Sequence, residues 1–163
     1  MRIGIDFGGT NVKFGLFDEE GNTLKFAVER VADLAAAGSL LETLLDAAAR
    51  FAAGEELSRG GLGMKGMVDV RAGGVINDVG AGNEFAGIDL RARFAARLKV
   101  PFAFDNDARA YAWGEWRFGA GRGCPSIIAM TLGTGVGCAA VIDGRLFRSS
   151  NPASGLLGGH MSI

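Results

Sequence analysis

The sequence is poor in the features that mark secreted, membrane-spanning and nucleic-acid-binding proteins. Its two cysteines, Cys124 and Cys138, are too few for a disulfide framework, and we interpret both as small buried hydrophobic residues. No N-terminal stretch resembles a cleaved signal, and no apolar run approaches the ~20 residues of a membrane helix. The net charge is -1, from 17 basic and 18 acidic residues scattered along the chain. We therefore expect a soluble cytoplasmic protein that binds neither nucleic acid nor an anionic membrane.

Glycine, in contrast, is abundant. The 163 residues include 27 glycines without a Gly-X-Y repeat, and this density indicates many turns and close approaches of the backbone to other groups. A chain of this length buries roughly 70% of the surface that its unfolded form exposes. That is enough for one well-cored domain or for two small lobes.

Apolar periodicity and turn residues predict an α/β order of elements. We expect an antiparallel meander of three strands, a crossover helix over residues 31–53, three short strands, and then two helices with a strand between them. Two strands around a second glycine-rich turn and one last short strand follow. The predicted bounds are 2–7, 11–17 and 23–30 for the meander, 61–64, 67–70, 74–76 and 102–105 for the next strands, 89–99 and 106–118 for the helices, and 126–132 and 136–142 for the last pair.

Two glycine-rich turns share one pattern of strand, turn and strand. They are DFGGT at residues 6–10 and LGTGVG at residues 132–137. Glycines lack Cβ atoms, so backbone N–H groups can approach phosphate oxygens, and a threonine hydroxyl adds a donor. Asp6 suits Mg²⁺ held through water, because that ion prefers oxygen ligands and keeps part of its hydration shell. Each turn taken alone could equally be a hairpin turn without a ligand.

Three polar residues, Asp105, Asn106 and Asp107, come where a predicted strand ends and a helix begins. One of them is expected to cap the helix, since Asp and Asn side chains accept hydrogen bonds from its first free N–H groups. Such strand ends are also where α/β proteins collect ligands, and a carboxylate there could accept the proton of an attacking hydroxyl. Phosphoryl transfer needs such a base, positioned phosphates and a metal.

The two turns, this corner and the stretch GLGMKGMVD at residues 61–69 resemble, as an ordered set, the ROK family of sugar kinases and sugar-responsive repressors. The resemblance covers residues 3–161. It implies the actin-like ATPase (ribonuclease H-like) fold, an α/β fold with a mixed sheet flanked by helices, with ATP and Mg²⁺ as cofactors and Asp107 as the general base. The implied sugar ligands are Gly66, Asn83, Asn106 and His160, and the implied phosphate and nucleotide ligands are Asp6, Gly8, Gly9, Thr10, Asn11, Gly133, Thr134 and Gly135.

The chain departs from the family pattern at three positions. Lys65 stands where the family usually has proline, Arg109 where it has asparagine, and Leu157 where it has a sugar-binding glutamate. His160 matches a residue that in the family touches the sugar and ligates a structural zinc. The three cysteines that complete that zinc site are absent from this sequence, and one histidine cannot supply four tetrahedral ligands. Zinc is therefore not expected.

Family members are about twice as long, which is roughly two domains on the usual size scale. The resemblance thus implies that residues 1–118 form the N-terminal lobe and that residues 119–163 begin a second lobe that breaks off early. Closure of two lobes excludes water and aligns the reacting groups. We accordingly expect weak nucleotide binding and little or no turnover from this chain alone.

Two functions of different classes stay open. The first is ATP-dependent phosphorylation of a hexose or an N-acetylated amino sugar, and the second is a non-catalytic sugar-binding or scaffold role, which Leu157 favours. A repressor is less expected, because the first strand begins at Arg2 and no DNA-binding helices precede it. The helix after Asp107 carries Trp113 and Trp116, and an aromatic face there could serve a homodimer.

Overall fold

The computed structural model describes residues 1–77, 83–133 and 136–148. Strands and helices follow one another in the predicted order, although some bounds differ. In chain order the elements are β1 (Arg2–Phe7), β2 (Asn11–Phe17), β3 (Thr23–Arg30), α1 (Val31–Ala36), α2 (Leu40–Phe51), β4 (Arg59–Met64), β5 (Met67–Asp69), β6 (Gly74–Asn77), a 3-10 helix (Asn83–Phe85), α3 (Leu90–Leu98), β7 (Phe102–Asn106), α4 (Asp107–Phe118), β8 (Ile127–Leu132), β9 (Val136–Ile142) and β10 (Arg145–Leu146).

The larger sheet has five strands in the order β3-β2-β1-β4-β7. Short turns make β1, β2 and β3 antiparallel neighbours. Strands β4 and β7 run parallel to β1, because helices carry the chain back along the sheet before each of them. The sheet is therefore mixed, and the carboxyl ends of β1, β4 and β7 meet at one edge.

One face of this sheet is buried against helices. Alternate side chains of β1, such as Ile5 and Phe7, point to this face and are buried. Leu44 of α2 belongs to the same apolar cluster and is fully buried. Phe94 of α3 stacks on Phe102 of β7 with ring centroids 5.1 Å apart. The core therefore lies between the five-stranded sheet and helices α2 and α3.

The prediction of a single crossover helix over residues 31–53 is wrong. The structure divides this stretch into α1 and α2, with Gly38 at φ +152° between them. Helix α2 begins its own hydrogen bonds there, because the Thr43 N–H donates to the carbonyl of the N-cap residue Ser39 at 2.9 Å, and the Thr43 hydroxyl joins the two helices by donating to the Leu34 carbonyl at 2.9 Å. Apolar periodicity continues across the break, whereas the backbone leaves the helical conformation at a glycine.

Helix α4 lies between the five-stranded sheet and a three-stranded sheet in the order β10-β9-β8. A Cβ atom on Gly63 of β4 would lie 3.3 Å from the Ala110 Cβ, and one on Gly137 of β9 would lie 2.9 Å from the Ala108 Cβ. Glycine at these two positions lets the helix approach both sheets closely. Helix α4 thus packs against both the five-stranded and the three-stranded sheet.

The exposure of the two cysteines corrects one further expectation. Cys138 is buried as expected, but Cys124 is exposed, so its interpretation as a buried residue is wrong. It follows α4 in an irregular segment, and its carbonyl accepts a hydrogen bond from Trp116 Nε1 at 2.8 Å. Within the three described ranges, no helix combines the length and the apolar character that crossing a membrane would require.

Candidate active site

Three parallel strands end at one edge of the larger sheet, and the candidate residues lie at those ends. The strand register aligns Asp6 of β1 with Gly63 of β4, and Gly63 with Asp105 of β7. Asp107, two residues further on, begins α4. A Cβ atom on Gly63 would lie 3.6 Å from the Asp107 Cα. The absent side chain therefore lets the start of α4 sit close over the strand that separates Asp6 from Asp105.

The turn between β1 and β2 presents backbone rather than side chains. The Gly8 N–H donates to the Asn11 carbonyl at 3.0 Å and closes the turn. Among the described residues, a Cβ atom on Gly9 would meet no atom within 4 Å, and the φ angle of Gly9 is not positive. The described part of the fold therefore does not require glycine at position 9, whereas a ligand that approaches the backbone would. A Cβ atom on Gly133, directly after β8, would likewise meet none of the described atoms, and the φ angle of Gly133 is not positive.

Asn106 joins the corner to the loop after β4. Its Oδ1 accepts hydrogen bonds from the N–H groups of Ala108 (2.9 Å) and Arg109 (3.3 Å), so Asn106 is the helix cap expected at this corner. Its Nδ2 donates to the Gly66 carbonyl at 3.0 Å, and Gly66 has a φ of +88°. Asn106 is only 3% exposed. The corner and the loop that carries Gly66 are therefore held together by a buried side chain.

Asp107 is half-buried at the first position of α4. Burial raises the pKa of its carboxyl above the ordinary value, and the nearby negative charge of Asp6 raises this pKa further. The Ala108 N–H, 2.8 Å from the Asp107 Oδ1, lowers the pKa and so opposes the rise. A raised pKa makes the ionised carboxylate a stronger proton acceptor, which suits a general base.

Asp6 is paired with Lys13, a site residue that sequence reasoning missed. The antiparallel register places Lys13 of β2 opposite Asp6, with Nζ 3.0 Å from the Asp6 Oδ2, and both side chains are about half exposed. The turn length carried the missing signal. The four residues 8–11 separate the paired residues Phe7 and Val12, and this spacing places Lys13 opposite Asp6.

The residues at this edge fit Mg²⁺ better than a metal that needs a cage of protein ligands. Asp6 offers a carboxylate at a half-exposed position, and it lies close enough to Asp107 for its negative charge to act on that carboxyl group. In the part of the chain that the structure describes, no three His, Cys, Asp or Glu side chains are grouped so that they could hold a metal ion. Mg²⁺ keeps several waters and accepts phosphate oxygens, so one or two carboxylates suffice.

Asp105 is the centre of an ion cluster beneath the corner. Its Oδ1 accepts hydrogen bonds from the Asn106 N–H (2.8 Å) and from Arg109 Nε (2.6 Å), and its Oδ2 accepts one from Arg148 Nη2. Arg109 stands where the family usually has asparagine. Its side chain is 2% exposed and forms a buried ion pair with Asp105. Sequence reasoning missed Arg148, because no local pattern links residues 43 positions apart.

Some predicted ligands cannot be placed at the site. Thr134, Gly135 and His160 lie outside the described residues, as does Leu157, which stands where the family has a sugar-binding glutamate. Asn83 begins the short 3-10 helix, and its side chain is likewise outside the description. The structure thus brings together the first turn, Asp6 and the corner at residues 105–107, while the sugar contacts assigned to Asn83 and His160 stay predictions.

The mixed five-stranded sheet, flanked by helices on both faces, defines an actin-like ATPase fold of the kind found in ROK sugar kinases. The family model described as ROK family matches residues 2–163. The chain therefore belongs to the ROK family, which confirms the resemblance and the predicted fold class.

Individual relatives agree with this assignment. The chain is 32% identical over 148 residues to a glucokinase of Streptomyces coelicolor, covering 91% of this chain and 45% of the relative. It is 33% identical over 163 residues to an N-acetyl-D-glucosamine kinase of Aliivibrio salmonicida, covering 97% and 52%. The crystal structure of a ROK family glucokinase from Streptomyces griseus in complex with glucose and AMPPNP matches with a TM-score of 0.82 at 31% identity, covering 99% and 50%. The chain thus spans about half the length of the relatives it matches.

Proposed function

We propose that this protein serves the ATP-dependent phosphorylation of a hydroxyl of a hexose or an N-acetylated amino sugar. The relatives named glucokinase and N-acetyl-D-glucosamine kinase support this class of reaction, as does the glucokinase structure that contains glucose and AMPPNP. The observation that carries the proposal is Asp107. Burial, together with the negative charge of Asp6, raises the pKa of this half-buried carboxyl, which lies at the edge where three parallel strands end.

In the proposed reaction, the Asp107 carboxylate accepts the proton of the sugar hydroxyl. The hydroxyl oxygen forms a bond to the γ-phosphorus of ATP, and the bond from that phosphorus to the bridging oxygen of ADP breaks. ADP leaves with the electron pair, and the sugar carries the phosphoryl group. The raised pKa of Asp107 matters here because the proton must move as the new bond forms, and a more basic carboxylate takes it more readily.

The first turn supplies the phosphate side of the proposed site. Backbone N–H groups of the turn approach phosphate oxygens where Gly9 leaves the surface free of a side chain. Mg²⁺, when bound near Asp6, would neutralise charge on the phosphates. Lys13 adds a second positive charge at the same place. The proposed phosphate and nucleotide ligands are Asp6, Gly8, Gly9, Thr10, Asn11, Gly133, Thr134 and Gly135.

The corner supplies the sugar side. Asn106 is proposed to meet a sugar hydroxyl with its Nδ2 group, which already holds the Gly66 carbonyl. Because the amide is fixed by three hydrogen bonds, its remaining N–H has one defined direction. Gly66 is proposed to offer its backbone to the sugar. Asn83 and His160 complete the proposed sugar ligands.

We further propose the division into two lobes, residues 1–118 and 119–163, with action in the cytoplasm. The separate three-stranded sheet supports the division, because it pairs with no strand of the five-stranded sheet among the described residues. Tyr111 and Trp113 are exposed on α4, and this supports a homodimer through that helix.

The experiment is an assay of the purified chain with Mg·ATP and a panel of hexoses and N-acetylated amino sugars, in which ADP and sugar phosphate are both quantified. We expect slow ADP formation that needs the sugar and matches the sugar phosphate formed. Long incubations at high protein concentration suit the low rate expected of this chain. Sugar binding by calorimetry without any sugar phosphate would replace the proposal by the non-catalytic, sugar-binding alternative.

A further inference from the structure

We propose that Arg109, Asp105 and Arg148 form a positioning network that holds the catalytic corner and ties it to the three-stranded sheet. This inference rests on the proposed function, because it assigns the network to the geometry of Asp107 and Asn106. None of its three members needs to touch a substrate. Their role is to hold the residues that do.

The first support is the way the ion pair encloses the corner. Asp105 is the last residue but one of β7 and Arg109 lies in the first turn of α4, so the pair brackets Asn106 and Asp107. The Arg109 and Asp105 side chains are 2% and 13% exposed. A buried charge that loses its partner is strongly destabilising, so each member constrains the position of the other. The strand end and the helix start are thereby held at one relative position.

The second support is the hydrogen bond that enters the corner itself. The Asp105 Oδ1 accepts from Arg109 Nε and also from the backbone N–H of Asn106. Asn106 in turn caps the N–H groups of Ala108 and Arg109 and holds Gly66. A shift of the Asp105 carboxylate therefore moves the helix cap Asn106, the loop that carries Gly66, and the start of the helix that carries Asp107.

The third support is that Arg148 follows directly after the three-stranded sheet. The residue before it, Phe147, is attached to that sheet, because its N–H donates to the Ala140 carbonyl at 2.8 Å. The Arg148 side chain forms an ion pair with Asp105 of the five-stranded sheet. This contact joins the three-stranded and five-stranded sheets at a point separate from the packing of α4. In a reaction that depends on alignment, misplacement by ~1 Å can reduce the rate about 100-fold.

The test compares Arg148→Gln with Arg97→Gln in the full chain. Arg97 is matched to Arg148 in its own exposure, 47% against 51%, and it pairs with Asp46 of α2, which is 51% exposed, whereas Asp105 is 13% exposed. It lies in α3 rather than at the corner. Three quantities are measured for each variant: the denaturation midpoint, the kcat and KM of sugar-dependent ADP release, and the hydrogen-exchange rates of the Ala108 and Arg109 amides.

We expect both variants to keep the wild-type midpoint, because each removes a half-exposed arginine, and Asp105 keeps its buried partner Arg109 when Arg148 is replaced. Only Arg148→Gln should lower kcat, by about tenfold, with KM for the sugar changed less than about twofold. Only this variant should speed exchange at the Ala108 and Arg109 amides, because the cap that protects them becomes less constrained. Equal behaviour of the two variants in turnover and exchange would overturn the proposal.

A double variant, Asp105→Leu with Arg109→Met, separates positioning from plain stability. Replacing both members of a buried ion pair by apolar side chains often preserves folding. We expect this variant to fold and still to lose kcat and amide protection. Wild-type turnover and protection in the folded double variant would refute the network. If the wild-type chain shows no sugar-dependent ADP release, the proposed function fails, and the exchange rates alone decide whether the network holds the corner.

Discussion

A glycine-to-alanine comparison tests whether the first turn is a phosphate cradle or only a hairpin turn. Gly9→Ala places a methyl group where no atom of the described residues lies within 4 Å, and Gly114→Ala does the same inside α4. Neither glycine has a positive φ. The two substitutions are therefore the same chemical change at two open positions, one in the proposed site and one outside it.

The expected effects differ in kind. Gly9→Ala should leave the free energy of unfolding within about 0.5 kcal/mol of the wild type, because the new methyl group meets no atom. It should weaken Mg·ATP binding about 10- to 100-fold, because a hydrogen bond to a charged group contributes about 1.5–3 kcal/mol. Gly114→Ala should stabilise the chain by about 0.5–1 kcal/mol, since alanine favours a helix interior.

The assays are urea denaturation for stability and calorimetric titration with Mg·ATP for binding. Gly114→Ala should bind Mg·ATP as the wild type does, which controls for a general effect of the methyl group. The phosphate interpretation of the turn is wrong if Gly9→Ala binds Mg·ATP with wild-type affinity. A large loss of stability in Gly9→Ala would instead mean that the hairpin itself requires the glycine.

Two further predictions concern the pH dependence of stability and the core. In the wild type, the pKa of Asp107 is raised, so the folded state binds the Asp107 proton more tightly than the unfolded chain does. Proton binding therefore stabilises the folded state at low pH, and this stabilisation is lost as the pH rises from the ordinary pKa of 3.8 through the folded pKa. Asp107→Asn should therefore exceed the wild type in unfolding free energy at neutral pH, by a margin that shrinks on acidification; urea denaturation across pH checks this, and a constant margin would contradict it. Leu44→Ala, at a fully buried position of α2, should cost about 2–5 kcal/mol in urea denaturation, and a cost below about 1 kcal/mol would contradict the described core.

The meander was predictable because its signals are local. Alternating apolar residues set the strands, and turn residues at Gly8, Gly9 and Gly21 end them, so the bounds of β1, β2 and β3 agree with prediction. The break between α1 and α2 was not predictable from apolar spacing. Leu34 and Leu41 lie on opposite sides of Gly38, are both buried, and keep the spacing of one face of a continuous helix.

At the site, residue types were predictable and environments were not. The polar corner and the glycine turns stand out in the sequence, since few structures need three polar residues at one helix start. The burial of Asp107 depends on α4 packing between two sheets, and the position of Arg148 depends on the path of the chain after β10. Both are tertiary effects that no window of the sequence contains.

The most direct test of the central claim compares the wild-type chain with Asp107→Asn in sugar-dependent ADP release, alongside calorimetric titration of the sugar. Asparagine keeps the size of the side chain and removes its ability to accept the proton as a carboxylate. We expect slow sugar-dependent ADP release from the wild type, none above background from Asp107→Asn, and sugar binding in both. Equal sugar-dependent ADP release from the two proteins would contradict the assignment of a kinase base at this corner.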